Sequence, residues 1–218
     1  MIQMKLREGT TDQCVYDEVI GRNCYRVPES LAGGVVIDVG CHIGTFAKLC
    51  MDRGADRVIA FELEPENVGI ARENLADYPR VTIINRAVWK PLVVTKVAPS
   101  GLYRTADRTL KNTGSSHVYI SQGCHTFPSG IETITLDEIL APFERVALVK
   151  IDAEGAEFEI IPATKSWAKV DRLVGEVHGY RKEYHVPDLY MEIRRHFPNL
   201  EVVSTCPEYG LENFFAWR

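Results

Sequence analysis

Apolar residues along this chain fall into short runs, each closed by a polar or acidic residue. The pattern predicts a strand over Val35–Val39 and a helix over about 43–53, with Gly54 as a natural cap after it. A second apolar run, 58–61, ends at Glu62, and Pro65 then sits where a helix can start. Val68, Ala71 and Leu75 share one face of that helix at i, i+3 and i+7. A third strand is predicted over Val81–Ile84. The run 146–151 is apolar except for Lys150, as a strand covered on both faces should be, and it ends in Asp152. A helix is expected from Glu154 to about Trp167, and a fifth strand over 173–177. The region 190–197 reads as helix. Two closing strands, 200–204 and 213–217, read as antiparallel.

Strand and helix alternate through most of the chain, which indicates an α/β sheet with helices on both faces. The stretch 89–132 interrupts this between the third and fourth strands. It is rich in Ser, Thr, Gly and Pro, with short β-prone pieces at 92–97 and 117–120. An insertion of this kind reads as substrate-facing, with a linker as the plainer alternative. Ser115, Ser116 and His117 lie in it, facing substrate or making a turn.

Length and composition suit one compact enzyme domain over 1–218, with 1–34 as an N-terminal cap segment. The chain has 218 residues, 45% hydrophobic and 25% charged, close to the globular average. Its net charge is −5 and it shows no basic stripe, which argues against a nucleic-acid binder. The six cysteines form no C-x-x-C pair and no zinc-like spacing, so free thiols in a reducing compartment are expected. No signal-peptide core and no membrane-length apolar run is visible, so a cytoplasmic protein without membrane attachment is expected.

The candidate chemistry sits at the strand ends. Gly40 and Gly44 open a helix straight after the first strand, and Glu62 closes the second strand 24 positions after Asp38. An acid there suits the two hydroxyls of a ribose. A dinucleotide site needs G-x-G-x-x-G, but His42 stands where a middle glycine would be. Asp38 would repel a pyrophosphate and suits a cation such as the amino group of a bound amino acid. A ligand with a ribose, an ammonium group and no phosphate is S-adenosylmethionine. A tight turn with no ligand is the plainer alternative.

The run Ile37-Asp-Val-Gly-Cys-His-Ile-Gly44, then Ala60-Phe-Glu-Leu-Glu-Pro65 and Asn85-Arg-Ala-Val88, resembles an FkbM-type methyltransferase. Thr135-Leu-Asp137 followed by Val149-Lys-Ile-Asp-Ala-Glu-Gly-Ala-Glu157 carries the resemblance furthest. It spans about residues 17–177. It implies the Rossmann-like class I methyltransferase fold, with a doubly wound, mostly parallel seven-stranded sheet. It also implies S-adenosylmethionine as cofactor and, most often, methylation of a hydroxyl oxygen on sugars or natural-product scaffolds.

By that resemblance Gly40 and Gly44 let the chain pass close to the cofactor, with Cys41 and Thr45 beside them. Asp38 orients the turn, receives the methionine ammonium or caps the helix. Glu62 holds the ribose, Leu63 packs on the adenine, and Arg86 and Ala87 sit at the adenine edge. For Arg86 a surface salt bridge is the alternative. His42 packs or lines the pocket.

Asp152, which also counts with the cofactor set, Glu176 and His178 lie at adjacent strand ends. They are the catalytic candidates, since an acceptor hydroxyl must lose its proton to a base or be assisted by a metal. A divalent ion on Asp152 and Glu176 would be Mg²⁺ or Mn²⁺ rather than zinc. Glu154 and Glu157 suit the helix dipole better than a ligand role. Tyr16, Asp17 and Tyr25 precede the first strand, where a segment can close over the cofactor, with packed aromatics as the alternative for Tyr16 and Tyr25.

The function expected is an O-methyltransferase acting on a small-molecule hydroxyl acceptor, with a homodimer left open. The rivals are an RNA methyltransferase, a non-catalytic S-adenosylmethionine-binding module and a nucleotide-dependent oxidoreductase.

Overall fold

The computed structural model describes residues 4–91, 119–121, 124–126, 132–179 and 185–218. Most of the expected insertion, with Ser115, Ser116 and His117, lies outside the described residues. The elements run α1 (Asp12–Tyr16), a π-helical turn (Asp17–Gly21), β1 (Val35–Val39), α2 (Thr45–Asp52), β2 (Arg57–Phe61), α3 (Pro65–Asn74), β3 (Val81–Ile84) and β4 (Ala87–Val88). They continue with β5 (Tyr119–Ser121), β6 (Cys124–Thr126), β7 (Thr133–Ile134), α4 (Leu136–Leu140), β8 (Leu148–Ile151), α5 (Glu157–Ala163) and β9 (Arg172–His178). The chain closes with α6 (Val186–His196), β10 (Asn199–Cys206) and β11 (Leu211–Trp217). Among the described residues no helix is long and apolar enough to cross a membrane.

Seven strands form one sheet in the order β10-β11-β9-β8-β1-β2-β3. Pairing is parallel from β9 through β8, β1 and β2 to β3, and β11 runs antiparallel to both of its neighbours. The apolar runs are continuous because both faces are covered. Ile37, Ile59, Val149 and Leu173 pack on one face with Ile160 and Trp167. Val36, Val58, Leu148 and Val174 pack on the other with Phe46 and Tyr25. The strand order turns between β1 and β8. Their C-terminal ends diverge into helices on opposite faces, and this switch point is where such a sheet leaves a crevice.

The expected long helix from Glu154 is shorter. Glu154 and Gly155 have φ of 53° and 99°, left-handed values that a right-handed helix cannot include, so α5 starts at Glu157. It stops at Ala163 because Thr164 is extended, and Trp167 sits in a separate 3₁₀ turn. That break is fastened by Asp137, whose carboxylate accepts from the backbone N–H of Lys165 at 3.0 Å and of Ser166 at 2.8 Å. Thr135 caps α4: its hydroxyl accepts from Glu138 N, and the Glu138 side chain accepts from Thr135 N at 2.8 Å. Both polar members of the Thr135-Leu-Asp137 motif are therefore architectural. Thr135→Ala is expected to cost about 1 kcal/mol in urea denaturation, the usual weight of a lost N-cap, and to leave ligand affinity unchanged.

Candidate active site

A cavity of about 560 Å³ opens at the C-terminal ends of β1 and β8. Its floor is the turn after β1. Val39 pairs with Ile151, so Gly40 and Asp152 leave the sheet side by side. Gly40 has φ of 80°, and a methyl group there would lie 1.9 Å from the Asp152 carbonyl oxygen. Only glycine lets the two strand ends come this close. His42 follows with φ of 51°, unusual for a residue with a Cβ, and Gly44 is left-handed at the start of α2. Thr45 opens that helix, and it, Cys41 and His42 line the cavity as buried side chains.

At one end of the cavity stands Glu62, buried at the close of β2. Its carboxylate accepts from the backbone N–H of His42 at 2.7 Å and of Glu64 at 2.8 Å. Each oxygen keeps a further lone pair, so two vicinal hydroxyls can still be met. Burial raises the Glu62 pKa, against the N–H groups of Glu64 and His42 that favour its charged form. Leu63, Arg86 and Ala87 line the same end. Arg86 also pairs with Glu132, so the salt bridge and the cavity-wall position coexist. Asn85 was not singled out from sequence, yet its amide donates to the carbonyls of Glu62 and Leu63 at 2.8 and 3.0 Å and sets the shape of this wall.

Of the roles expected of Asp38, orienting the turn is the one its surroundings fit. It is fully buried, does not line the cavity, and its Oδ1 lies 3.3 Å from Lys150 Nζ. The cation it was expected to receive comes from within the chain, because Lys150 is its register partner on β8. Asp38 therefore stands behind the turn, outside the cavity lining.

At the opposite end four carboxylates surround one histidine. His178 Nδ1 is 3.2 Å from Glu157 Oε1, and Nε2 is 3.4 Å from Glu176, 3.6 Å from Glu154 and 3.9 Å from Asp152. Glu157 is fully buried and also accepts from Ala153 N at 2.7 Å. It opens α5, where an acid suits the helix dipole as expected, and it is also a buried member of the cluster. Tyr25 donates to Asp152 Oδ2 at 2.7 Å, so this aromatic both packs in the core and reaches the site.

The charges in this cluster are unequal to one another. Burial raises the Asp152 carboxyl, but Lys150, His178 and the Tyr25 hydroxyl outweigh it and hold the pKa below its usual value. Burial pushes Glu154 up to about 8, with Asp152, Glu157 and Glu176 adding to it against His178. Burial and then Asp152 push Glu176 up to about 7. Burial alone would lower His178, yet Glu154, Glu157 and Asp152 hold it well above the usual histidine range. The cluster thus holds a charged Asp152 and imidazolium at neutral pH beside acids that exchange protons there.

The roof comes from the N-terminal segment. Thr11, Cys14 and Glu18 line the cavity from α1 and the π-helical turn. The segment is anchored by buried Asp12, which accepts from Arg7 at 2.8 and 2.9 Å and lies 3.3 Å from His42 Nε2. Tyr16 packs instead against Met4, Ile43 and Ile70. Asp17 is exposed and accepts from Gln13.

An open sheet of this order, antiparallel only at β11 and with its cavity at the switch point, is the class I methyltransferase fold. The chain belongs to the FkbM methyltransferase family: the model of the methyltransferase FkbM domain matches residues 38–200. Among solved structures it is similar to methyltransferase FkbM from Methylobacillus flagellatus KT. The identity is 15% and the TM-score 0.54, over 93% of this chain and 48% of that longer one. It is also similar to precorrin-6y C5,15-methyltransferase from Geobacter metallireducens GS-15, at 14% identity and a TM-score of 0.52, over 98% of this chain and 94% of that one. Among curated proteins no relative matches.

Proposed function

We propose that the protein moves the methyl group of S-adenosylmethionine to a hydroxyl of a small polyhydroxylated or natural-product acceptor. One observation carries this reading. A single cavity joins a ribose-suited carboxylate, Glu62, to a proton-exchanging carboxylate–imidazole cluster around His178. Methyl transfer is an in-line displacement from a sulfonium, so holding the two partners in line supplies much of the rate. Glu62 and the Gly40 turn hold the donor at one end, and Asp152 orients the acceptor hydroxyl at the other. Glu176 lines the cavity with a pKa near 7, where a general base works best, and takes the hydroxyl proton. His178 stays protonated and favours the charged carboxylate of Glu176 before the transfer; taking the hydroxyl proton leaves Glu176 a neutral carboxylic acid.

The test is S-adenosylhomocysteine release over a panel of sugars and hydroxylated scaffolds. A responding acceptor is expected, and Glu176→Gln should lower kcat about 100-fold with donor affinity unchanged. Methylation confined to RNA, or donor binding without turnover on any substrate, would favour the rival readings instead.

A divalent ion is the second reading. Asp152, Glu157 and His178 each place a ligand atom within 4.8 Å of the others. Two carboxylates and an imidazole suit Mn²⁺ better than Mg²⁺, which prefers oxygen ligands, and Glu176 falls outside this set. Such an ion would lower the pKa of the acceptor hydroxyl. Loss of activity on exhaustive chelation, restored by Mn²⁺, supports it. Full retention removes it.

A further inference from the structure

We propose that Lys150 is the positioning residue that ties the cofactor turn to Asp152, an inference that rests on the methyltransferase reading above. Lys150 interrupts an otherwise apolar strand and is 3% exposed. Its Nζ donates to the Gly40 carbonyl at 2.7 Å and lies 3.3 Å from Asp38 Oδ1 and 3.5 Å from Asp152 Oδ2. An ammonium has three N–H donors, and three acceptors surround this one. The rings of Tyr25 and Phe46 stand 5.2 and 5.8 Å away and wall it from the core.

Stability alone does not call for this arrangement. A buried ion pair is commonly no better for a fold than well-packed apolar residues of the same volume. A leucine or methionine would fill the space but could not donate to Gly40 and Asp152 together. Gly40 is the residue whose backbone touches the Asp152 carbonyl, and Asp152 leads into the acceptor cluster. One side chain therefore sets the distance between the donor turn and the acid at the transfer end. Asp38 serves as its counter-charge, which explains why that carboxylate is buried behind the turn.

The experiment compares wild type, the double variant Asp38→Asn/Lys150→Met and Lys150→Arg. Each is measured by thermal unfolding and by calorimetric titration with S-adenosylmethionine. The double variant removes both charges of the Asp38–Lys150 pair, so what is lost is the donor to the Gly40 carbonyl and the cation beside Asp152. It is expected to unfold within a few degrees of wild type yet bind S-adenosylmethionine about tenfold or more weakly. Lys150→Arg keeps a cation with several donors and is expected to bind within about threefold of wild type. A folded double variant with wild-type affinity would overturn the inference, since the pair would then only fill the core. Should the double variant not fold, Lys150→Arg against Lys150→Gln decides: equal affinity in those two overturns it, and retention in Arg alone supports it. A wild type that binds no S-adenosylmethionine would instead strike the methyltransferase reading itself.

Discussion

Gly40→Ala is expected to abolish cofactor binding and to destabilise the fold. The added Cβ lands 1.9 Å from the Asp152 carbonyl oxygen, and that oxygen is backbone, so it cannot swing aside. The residue also sits at φ of 80°, a left-handed conformation that costs an L-residue about 1–2 kcal/mol. Relief of the clash must push β1 and β8 apart at their ends, which adds about 1–3 kcal/mol of overpacking strain. Roughly 3 kcal/mol of lost stability is therefore expected in urea. The affinity loss should be larger still. The Gly40 and Cys41 N–H groups both donate to Phe61 O at 2.9 Å, so moving the turn also moves the strand that ends in Glu62. Titration of the variant with S-adenosylmethionine should show no saturation at concentrations that saturate wild type. Wild-type affinity in the variant would mean that the turn is not part of the ligand site.

The second large effect is on pH. Glu154, Glu176 and His178 all have pKa values raised in the folded protein. The native state binds more protons than the unfolded chain, so stability falls as pH rises. For Glu154 the contribution is complete below its usual value of 4.5 and is lost as pH passes about 8. For Glu176 the loss runs from 4.5 to about 7, and for His178 it begins at 6.5 and extends upward. Asp152 has the opposite sign, but its lowered pKa confines its effect to acid below the usual 3.8. At 1.36 kcal/mol per unit, and allowing for charge shared within the cluster, the fall between about pH 5 and pH 8.5 is on the order of 2–4 kcal/mol. Urea midpoints on chelator-treated protein measure it. Glu154→Gln stays neutral throughout and should flatten much of the slope. A rise in stability over this window would show that the acids are not held as described.

How far these features were legible in the sequence depends on whether the signal was local. The strands and the Gly40–Gly44 turn were legible because a covered parallel strand is a run of adjacent apolar residues and a tight turn needs adjacent glycines. The convergence of Asp152 and Glu176 was legible too, since adjacent parallel strands bring their C-terminal ends to one edge. The pairing of Asp38 with Lys150 was not legible, because Lys150 lies more than a hundred positions downstream and a single polar residue in an apolar run carries no pointer to what it meets. Glu157 was legible as a helix-start acid and does open α5, but its place in the cluster was not. The turn before it is left-handed at both Glu154 and Gly155; the glycine suits such a turn, but the glutamate gives no sign of it. Thr135 and Asp137 were legible only as part of a motif, and their capping and turn-fastening roles, like those of Asn85 and Tyr25, come from contacts made in the folded chain.

The central claim is that this cavity holds S-adenosylmethionine with Glu62 on its ribose. The most direct measurement is calorimetric titration of wild type and Glu62→Ala with S-adenosylmethionine, with NADH as the control ligand. Saturable binding of the methyl donor alone, about tenfold or more weaker in the variant, is the predicted result. A folded wild type that ignores the donor, or that binds NADH instead, would contradict it.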